Sequence, residues 1–298
     1  MLLLVLPVGL VYVTALAAAL LATGAPWRRA VALTVVAASF PLAFCIPAEY
    51  PAFRALVALG SLWFTARTTE LIRERRPVPA LRRIWHALGM VDTLHVSRVA
   101  PGLDRPALSR LLICAPLVAL GLAGVIYASH LLTGVPRLLA RWGSGVVFMY
   151  AGVEVAVSTI ILFYGALGVD PRPLHDDPIR SRTLTEFWSR RWNRAVHRFL
   201  KQTFFAPVAR RGYITLGLVL AFAVSGFIHF AFMVPAVGLF WAGMMGSFFL
   251  LQLPLLWAER ALGVVRWRAP LARTWTLGLL LLSAPLFVEP VLRIVDTW

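Results

Sequence analysis

Gly212 to Val234 reads GYITLGLVLAFAVSGFIHFAFMV. A helix over this run is long enough to cross a hydrocarbon core of about 30 Å. It carries a histidine, His229, well inside the apolar stretch. Burying an ionisable group in hydrocarbon is costly, so its default reading is functional. Immediately upstream the character reverses. Ser181 to Gln202 reads SRTLTEFWSRRWNRAVHRFLKQ, dense in arginine and tryptophan.

Of the 298 residues, 60% are hydrophobic, and the mean hydropathy is +0.79. Soluble domains run nearer ~45–50% apolar, so the chain is expected to be an all-α polytopic integral membrane protein. Apolar runs of helical length predict about eight transmembrane helices, roughly 2–23, 30–46, 52–68, 108–132, 143–167, 212–234, 236–258 and 271–294. The third is tightly bounded by Arg54 and Arg67. All but four of the 29 basic residues then fall on one side; the exceptions are Arg54, Arg137, Arg141 and Arg293. The positive-inside rule puts the basic loops in the cytoplasm and both termini outside. The near-absence of lysine (Lys201 alone) fits a GC-rich bacterial coding sequence, and the expected location is the bacterial inner (cell) membrane. The apolar N-terminus lacks a basic start and reads as a retained first span. One membrane domain over 1–298 is expected.

The net charge of +16 does not argue for nucleic acid, because the charges are interleaved with spans. It suits membrane lipids and an anionic substrate. Cys45 and Cys114 lie in separate apolar runs and read as packing residues. His175, Asp176 and Asp177 sit side by side in a proline-flanked loop without metal-ligand spacing. They are read as a solvated or capping loop, and no metal is expected.

From Ser181 the pattern turns helical. Thr183 with Glu186 three residues on forms a capping box. Leu184, Trp188, Trp192, Ala195 and Phe199 recur on one face, with Arg190, Arg194, Arg198 and Lys201 on the other. This predicts a basic amphipathic helix at the cytoplasmic interface. On amphipathicity alone it is an interfacial anchor. Asn193 argues against that, as an amide on the polar strip of Glu186, Ser189, Arg190 and His197 is neither a good anchor nor a strong helix former. For His229 the competing reading is a satisfied core histidine. Ser225 one turn earlier and the small Gly226 shift the balance toward chemistry. A neutral imidazole is a suitable general base. No carboxylate lies within one turn of it, so direct activation of a substrate hydroxyl fits better than a serine triad.

At these residues the sequence resembles the wax synthase-like branch of the membrane-bound O-acyltransferases. The resemblance rests on four pieces in order: SRTLTEFWSRRWNRAVHRFLKQTFFAPV (Ser181–Val208), FAVSGFIHF (Phe222–Phe230), FFLLQLPLLWAE (Phe248–Glu259), and Thr276–Arg293 with its Pro-Leu-Phe and final Pro-x-x-Arg. Residues 181–260 carry the main motifs. The resemblance implies transfer of an acyl group from acyl-CoA, as co-substrate, to a lipophilic alcohol inside the bilayer, with no resident cofactor. It maps the family's hallmark pair onto His229 as base and Asn193 as positioner of the donor or its oxyanion. Trp188, Arg190, Arg191, Trp192 and Arg194 would line the donor site, with Ser225, Gly226 and Gln252 as further substrate contacts. Two departures stand out: Phe230 replaces a common Glu, and Gln252 a common His. The alternatives are a transporter or flippase for a lipid-like anion and a non-catalytic relative.

Overall fold

The computed structural model describes residues 2–171 and 174–295. They are helical almost throughout; among them the only strands are the two-residue pair Ser97–Arg98 and Val169–Asp170. Their antiparallel bridge ties the connection before residue 105 to the one after residue 166.

Among the described residues six helices are long and apolar enough to cross a membrane, beginning with Leu3–Leu21 and ending with Ala269–Val295. The chain is a polytopic α-helical membrane protein. In order, the helices are α1 (Leu2–Leu21), α2 (Pro26–Ala37), α3 (Pro51–Arg73), α4 (Ala80–Leu88), α5 (Arg105–Leu131), α6 (Gly134–Ala166), α7 (Leu184–Glu186), α8 (Arg194–Leu200), α9 (Ala206–Ala209), α10 (Ile214–Ala261) and α11 (Ala269–Val295). Helix α3 forms where the third span was expected, but its charged residues keep it out of the membrane-length set.

Helix α10 is two limbs. Gly238 has φ 79° and ψ 175°, a conformation that only glycine adopts readily. The chain doubles back there. A Cβ on Gly246 would stand 3.2 Å from the Gly226 carbonyl oxygen and 3.3 Å from Phe230 Cβ. A straight helix would separate residues 226 and 246 by about 30 Å. The sequence expectation of separate spans before and after Pro235 matches these limbs, with the turn a few residues later.

The chain groups into two compact units. One comprises 1–95, 224–246 and 293–298. Its core is lined by small residues of α1 (Ala15, Ala18, Ala19) and by Ala22 just after it, against Val36, Ala58 and Phe64. Small side chains let helix backbones approach closely, which is how membrane helices gain packing energy without a hydrophobic drive. Arg54 donates to the carbonyl of Ile46 at 2.8 Å and to that of Pro235, just before the α10 turn, at 3.0 Å.

The other unit comprises 96–223 and 247–292. Helix α5 starts on an Asp104 cap, whose carboxylate accepts from the Ala107 amide at 2.8 Å. It packs along α6. Arg141 of α6 donates to Glu289 of α11 at 3.1 Å and to Ser129 at 2.7 Å, and Trp142 Nε1 reaches the same carboxylate oxygen at 3.0 Å. A buried ion pair needs such extra hydrogen bonds to offset its desolvation.

Candidate active site

The Arg/Trp/Asn segment is not the single amphipathic helix that its periodicity predicts. Three residues of α7 give way to a π-helical turn, Phe187–Arg191. Trp192 is extended, and Asn193 is left-handed at φ 36°, ψ 62°. Helix α8 then begins, runs into a second π turn (Lys201–Phe205), and ends in α9. Asn193 therefore does not lie on a continuous polar strip with Glu186 and His197. It is the N-cap of α8, its carboxamide oxygen accepting from the Val196 amide at 3.3 Å. Asn tolerates left-handed backbone better than other non-glycine residues. Its amide NH2 has no protein partner among the described residues.

The expected capping box forms in a shifted version. Thr183 Oγ1 accepts from the Glu186 amide at 2.9 Å, while Glu186 reaches back to the Arg182 amide at 2.8 Å. Burial alone would raise the Glu186 carboxyl, but the Arg182 amide and the Arg191 guanidinium outweigh it and hold it below its ordinary range. A carboxylate outside this segment completes the helix start. Buried Glu259 accepts from the Leu184 and Thr185 amides and from Thr185 Oγ1 at 2.9 Å. Its charge offsets the unpaired N–H groups that open a helix.

The expected donor residues divide by what they touch. Trp188 Nε1 donates to the Gln252 carboxamide oxygen at 3.2 Å, and Gln252, fully buried, returns its NH2 to the Phe248 carbonyl at 3.2 Å. The Trp188 ring packs among Phe222, Phe248 and Phe249. Arg191 is engaged by Glu186 at 2.7 Å and by the Asp176 carbonyl at 2.9 Å. Arg190 is exposed and Arg194 half-buried, and neither has a side-chain partner among the described residues. These two guanidiniums are available to an anion. Trp192 stacks on Phe187 at 5.4 Å and on His175 at 4.6 Å.

His175 overturns the reading of its loop as solvated. It is 3% exposed, and its Nδ1 bonds Glu154 at 2.9 Å. No group of three metal-ligating side chains occurs among the described residues. Sequence reasoning did not foresee the contacts of His175 with Glu154 or of Glu259 with Leu184 and Thr185, whose partners lie 21 and about 75 positions apart.

In the other unit, His229 sits on the first limb of α10. Its Nδ1 lies 2.8 Å from the Ser225 carbonyl oxygen. A carbonyl can only accept, so Nδ1 carries the proton and Nε2 is the ring nitrogen with acceptor character. The expected Ser225 contact is thus made by backbone, with the buried side chain alongside. Gly226 serves the close approach of the two α10 limbs at Gly246. The ring edge packs on Phe232 at 5.6 Å. A half-buried imidazole of fixed tautomer in an apolar helix is equipped to accept a proton from a hydroxyl.

Residues 171–251 match the model of the Membrane bound O-acyl transferase family. That stretch holds both the Asn193 turn and His229. The chain is 27% identical over 143 residues to the Probable long-chain-alcohol O-fatty-acyltransferase 1 of Arabidopsis thaliana, covering 43% of this chain and 40% of that protein. It is 32% identical over 92 residues to the Long-chain-alcohol O-fatty-acyltransferase of Simmondsia chinensis, covering 28% and 26%. To the Probable long-chain-alcohol O-fatty-acyltransferase 2 of Arabidopsis thaliana it is 32% identical over 161 residues, covering 47% and 46%. The matched stretches span less than half the length of each relative. The likeness to the wax synthase-like membrane O-acyltransferases, read first from the motifs, holds in these comparisons.

Proposed function

We propose that this chain, which carries the wax synthase-like signature of the membrane-bound O-acyltransferases, transfers an acyl group from acyl-CoA to the hydroxyl of a long-chain lipophilic alcohol. The observation that carries the reading is His229, fixed as an Nδ1–H tautomer by the Ser225 carbonyl within the family-matched stretch. In this reading His229 Nε2 takes the hydroxyl proton as the alcohol oxygen attacks the thioester carbonyl. The carbonyl oxygen gains charge, which the Asn193 NH2 is suited to stabilise. The C–S bond then breaks, and the thiolate recovers the proton from the imidazolium.

Arg190 and Arg194 offer paired donors to the phosphates of CoA. The arginine-rich loops favour donor entry from the cytoplasmic side, while the apolar acceptor arrives through the bilayer. Excluding water around the thioester suppresses hydrolysis. The test is thiol release from palmitoyl-CoA by the purified chain in detergent, with and without hexadecanol. Alcohol-dependent release accompanied by ester formation is expected. Alcohol-independent hydrolysis, or no release, overturns the proposal.

A further inference from the structure

Asn193 depends on a clamp that lies outside its own segment. Two hydrogen bonds hold the backbone on either side of the Trp192–Asn193 break. The Asp176 amide donates to the Arg191 carbonyl at 3.0 Å, and the Arg194 amide donates to the Leu174 carbonyl at 2.8 Å. Both partners belong to the strap 174–176. Between them lies His175, stacked on Trp192 at 4.6 Å with the planes 27° apart. Trp192 is covered on another side by Phe187, 13° from parallel, and by Tyr150 at 6.4 Å. Arg191 Nη1 closes on the Asp176 carbonyl.

The strap's own side-chain tie to α6 is the bond from His175 Nδ1 to Glu154 Oε1. Glu154 projects from α6 and is 3% exposed. Its second oxygen lies 3.9 Å from Arg110, within ion-pair range, and accepts no hydrogen bond. A buried carboxylate with one unsatisfied oxygen is expensive to keep. Helix packing would be served as well by leucine. What the carboxylate does is orient a ring, and the ring sets the plane of the tryptophan next to Asn193.

We infer that Glu154 and His175 are positioning residues for acyl transfer, holding the Trp192–Asn193 turn so that the Asn193 carboxamide meets the acyl donor. The inference rests on the acyltransferase reading and on the role it gives Asn193. A misplacement of about 1 Å is enough to cost up to a hundredfold in rate. The orienting bond therefore carries rate without touching substrate, as outer-shell partners of metal ligands do.

The experiment uses the full chain in detergent, with steady-state kinetics in palmitoyl-CoA and in hexadecanol. Glu154→Leu and His175→Phe, which keeps a stacking ring, are expected to lower kcat roughly ten- to hundredfold and raise KM for the acyl donor. KM for the alcohol stays unchanged. Glu154→Gln keeps an acceptor for Nδ1–H and should stay within about threefold of the parent. Adding His175→Phe to Asn193→Gly is expected to cost little more than Asn193→Gly alone, because one lesion acts through the other. Parent-like kinetics in the Leu and Phe variants, losses that multiply with Asn193→Gly, or an equal rise in both KM values overturn the inference.

Should Glu154→Leu fail to fold, Glu154→Asp retracts the carboxylate by one methylene. The same donor-side loss is expected there, and unchanged kinetics overturn the inference. An inactive parent sinks the acyltransferase reading itself. A fully active Asn193→Gly in an active parent sinks the role of Asn193. Neither result resembles a failure of the clamp alone.

Discussion

Trp188→Phe removes one hydrogen bond and leaves a buried acceptor behind. Gln252 has no exposed surface, and its carboxamide oxygen receives the indole N–H at 3.2 Å. Stranding that oxygen costs about 1–3 kcal/mol. The lost ring volume, roughly 40 Å³, adds about 1 kcal/mol at ~24 cal/mol per Å³ if the site does not collapse. The expected loss is therefore about 2–4 kcal/mol. Gln252→Leu strands the indole N–H instead and costs about 1–3 kcal/mol. The double variant removes both polar ends, so the two losses do not add. A coupling of about 1–2 kcal/mol should be recovered. The assay is unfolding of the purified chain in mixed micelles, followed by tryptophan fluorescence with a second probe by circular dichroism. Strict additivity would refute the pairing. A donor KM that rises in Trp188→Phe with stability unchanged would instead make the indole a substrate contact.

His229→Ala is expected to fall about 10²–10⁴-fold in acyl transfer while keeping its helix content, as loss of a general base predicts; turnover near the parent value refutes the base assignment. Asn193→Gly keeps the left-handed turn at a cost of a few tenths of a kcal/mol for the cap, yet should lose most transfer activity, whereas Asn193→Ala also suffers backbone strain of roughly 1–2 kcal/mol. Equal activity of parent and Asn193→Gly would leave the carboxamide with a backbone role only. His197 is pushed below its ordinary value, first by burial and then by Lys201, Arg194 and Arg198. Its neutral form is favoured in the fold, so stability is full above about pH 6.5 and falls as pH drops through the lowered value; a pH series of melting temperatures should flatten between these limits in His197→Gln. Raising salt from 50 to 500 mM should raise KM for acyl-CoA, because exposed Arg190 and half-buried Arg194 are screened beyond about a Debye length, and leave a phosphate-free acyl thioester unaffected. An equal response of both donors argues against phosphate contacts.

The features legible in the sequence are those with local causes. Apolar runs of membrane length announce the spans, and His229 stands out because nothing around it is ionisable. The limits of that reading are equally physical. The spacing of Leu184, Trp188 and Trp192 suits one helical face, yet Trp192 leaves the helix to stack between Phe187 and His175. Periodicity cannot register a ring that gains more from stacking than from continuing a stripe. One signal was present: Asn is the residue most at home at a left-handed position, and it is a good N-cap as well. Read that way, Asn193 marks a helix start. His175 gave no comparable signal, because its partner Glu154 is hidden in α6, where a lone carboxylate among apolar residues names no counterpart.

The distribution of acidic side chains sharpens the meaning of the net charge. The chain has 13 acidic residues against 29 basic ones. Several of the 13 are spent on internal donors. Glu154 holds His175, Glu259 receives the amides that open α7, and Glu289 takes Arg141 and Trp142. Glu186 faces Arg191, and Glu70 accepts from Arg67 at 2.7 Å. Where the partner is an arginine, the pair is neutral and drops out of the outer field. Where it is an amide or an imidazole, the carboxylate serves the fold and is shielded from solvent. Exposed Arg190 beside the Asn193 turn, by contrast, has no carboxylate partner among the described residues. Coulomb attraction for an anionic ligand depends on this placement more than on the formal total, since buried charges contribute little beyond their own contacts while exposed ones set the approach of a ligand.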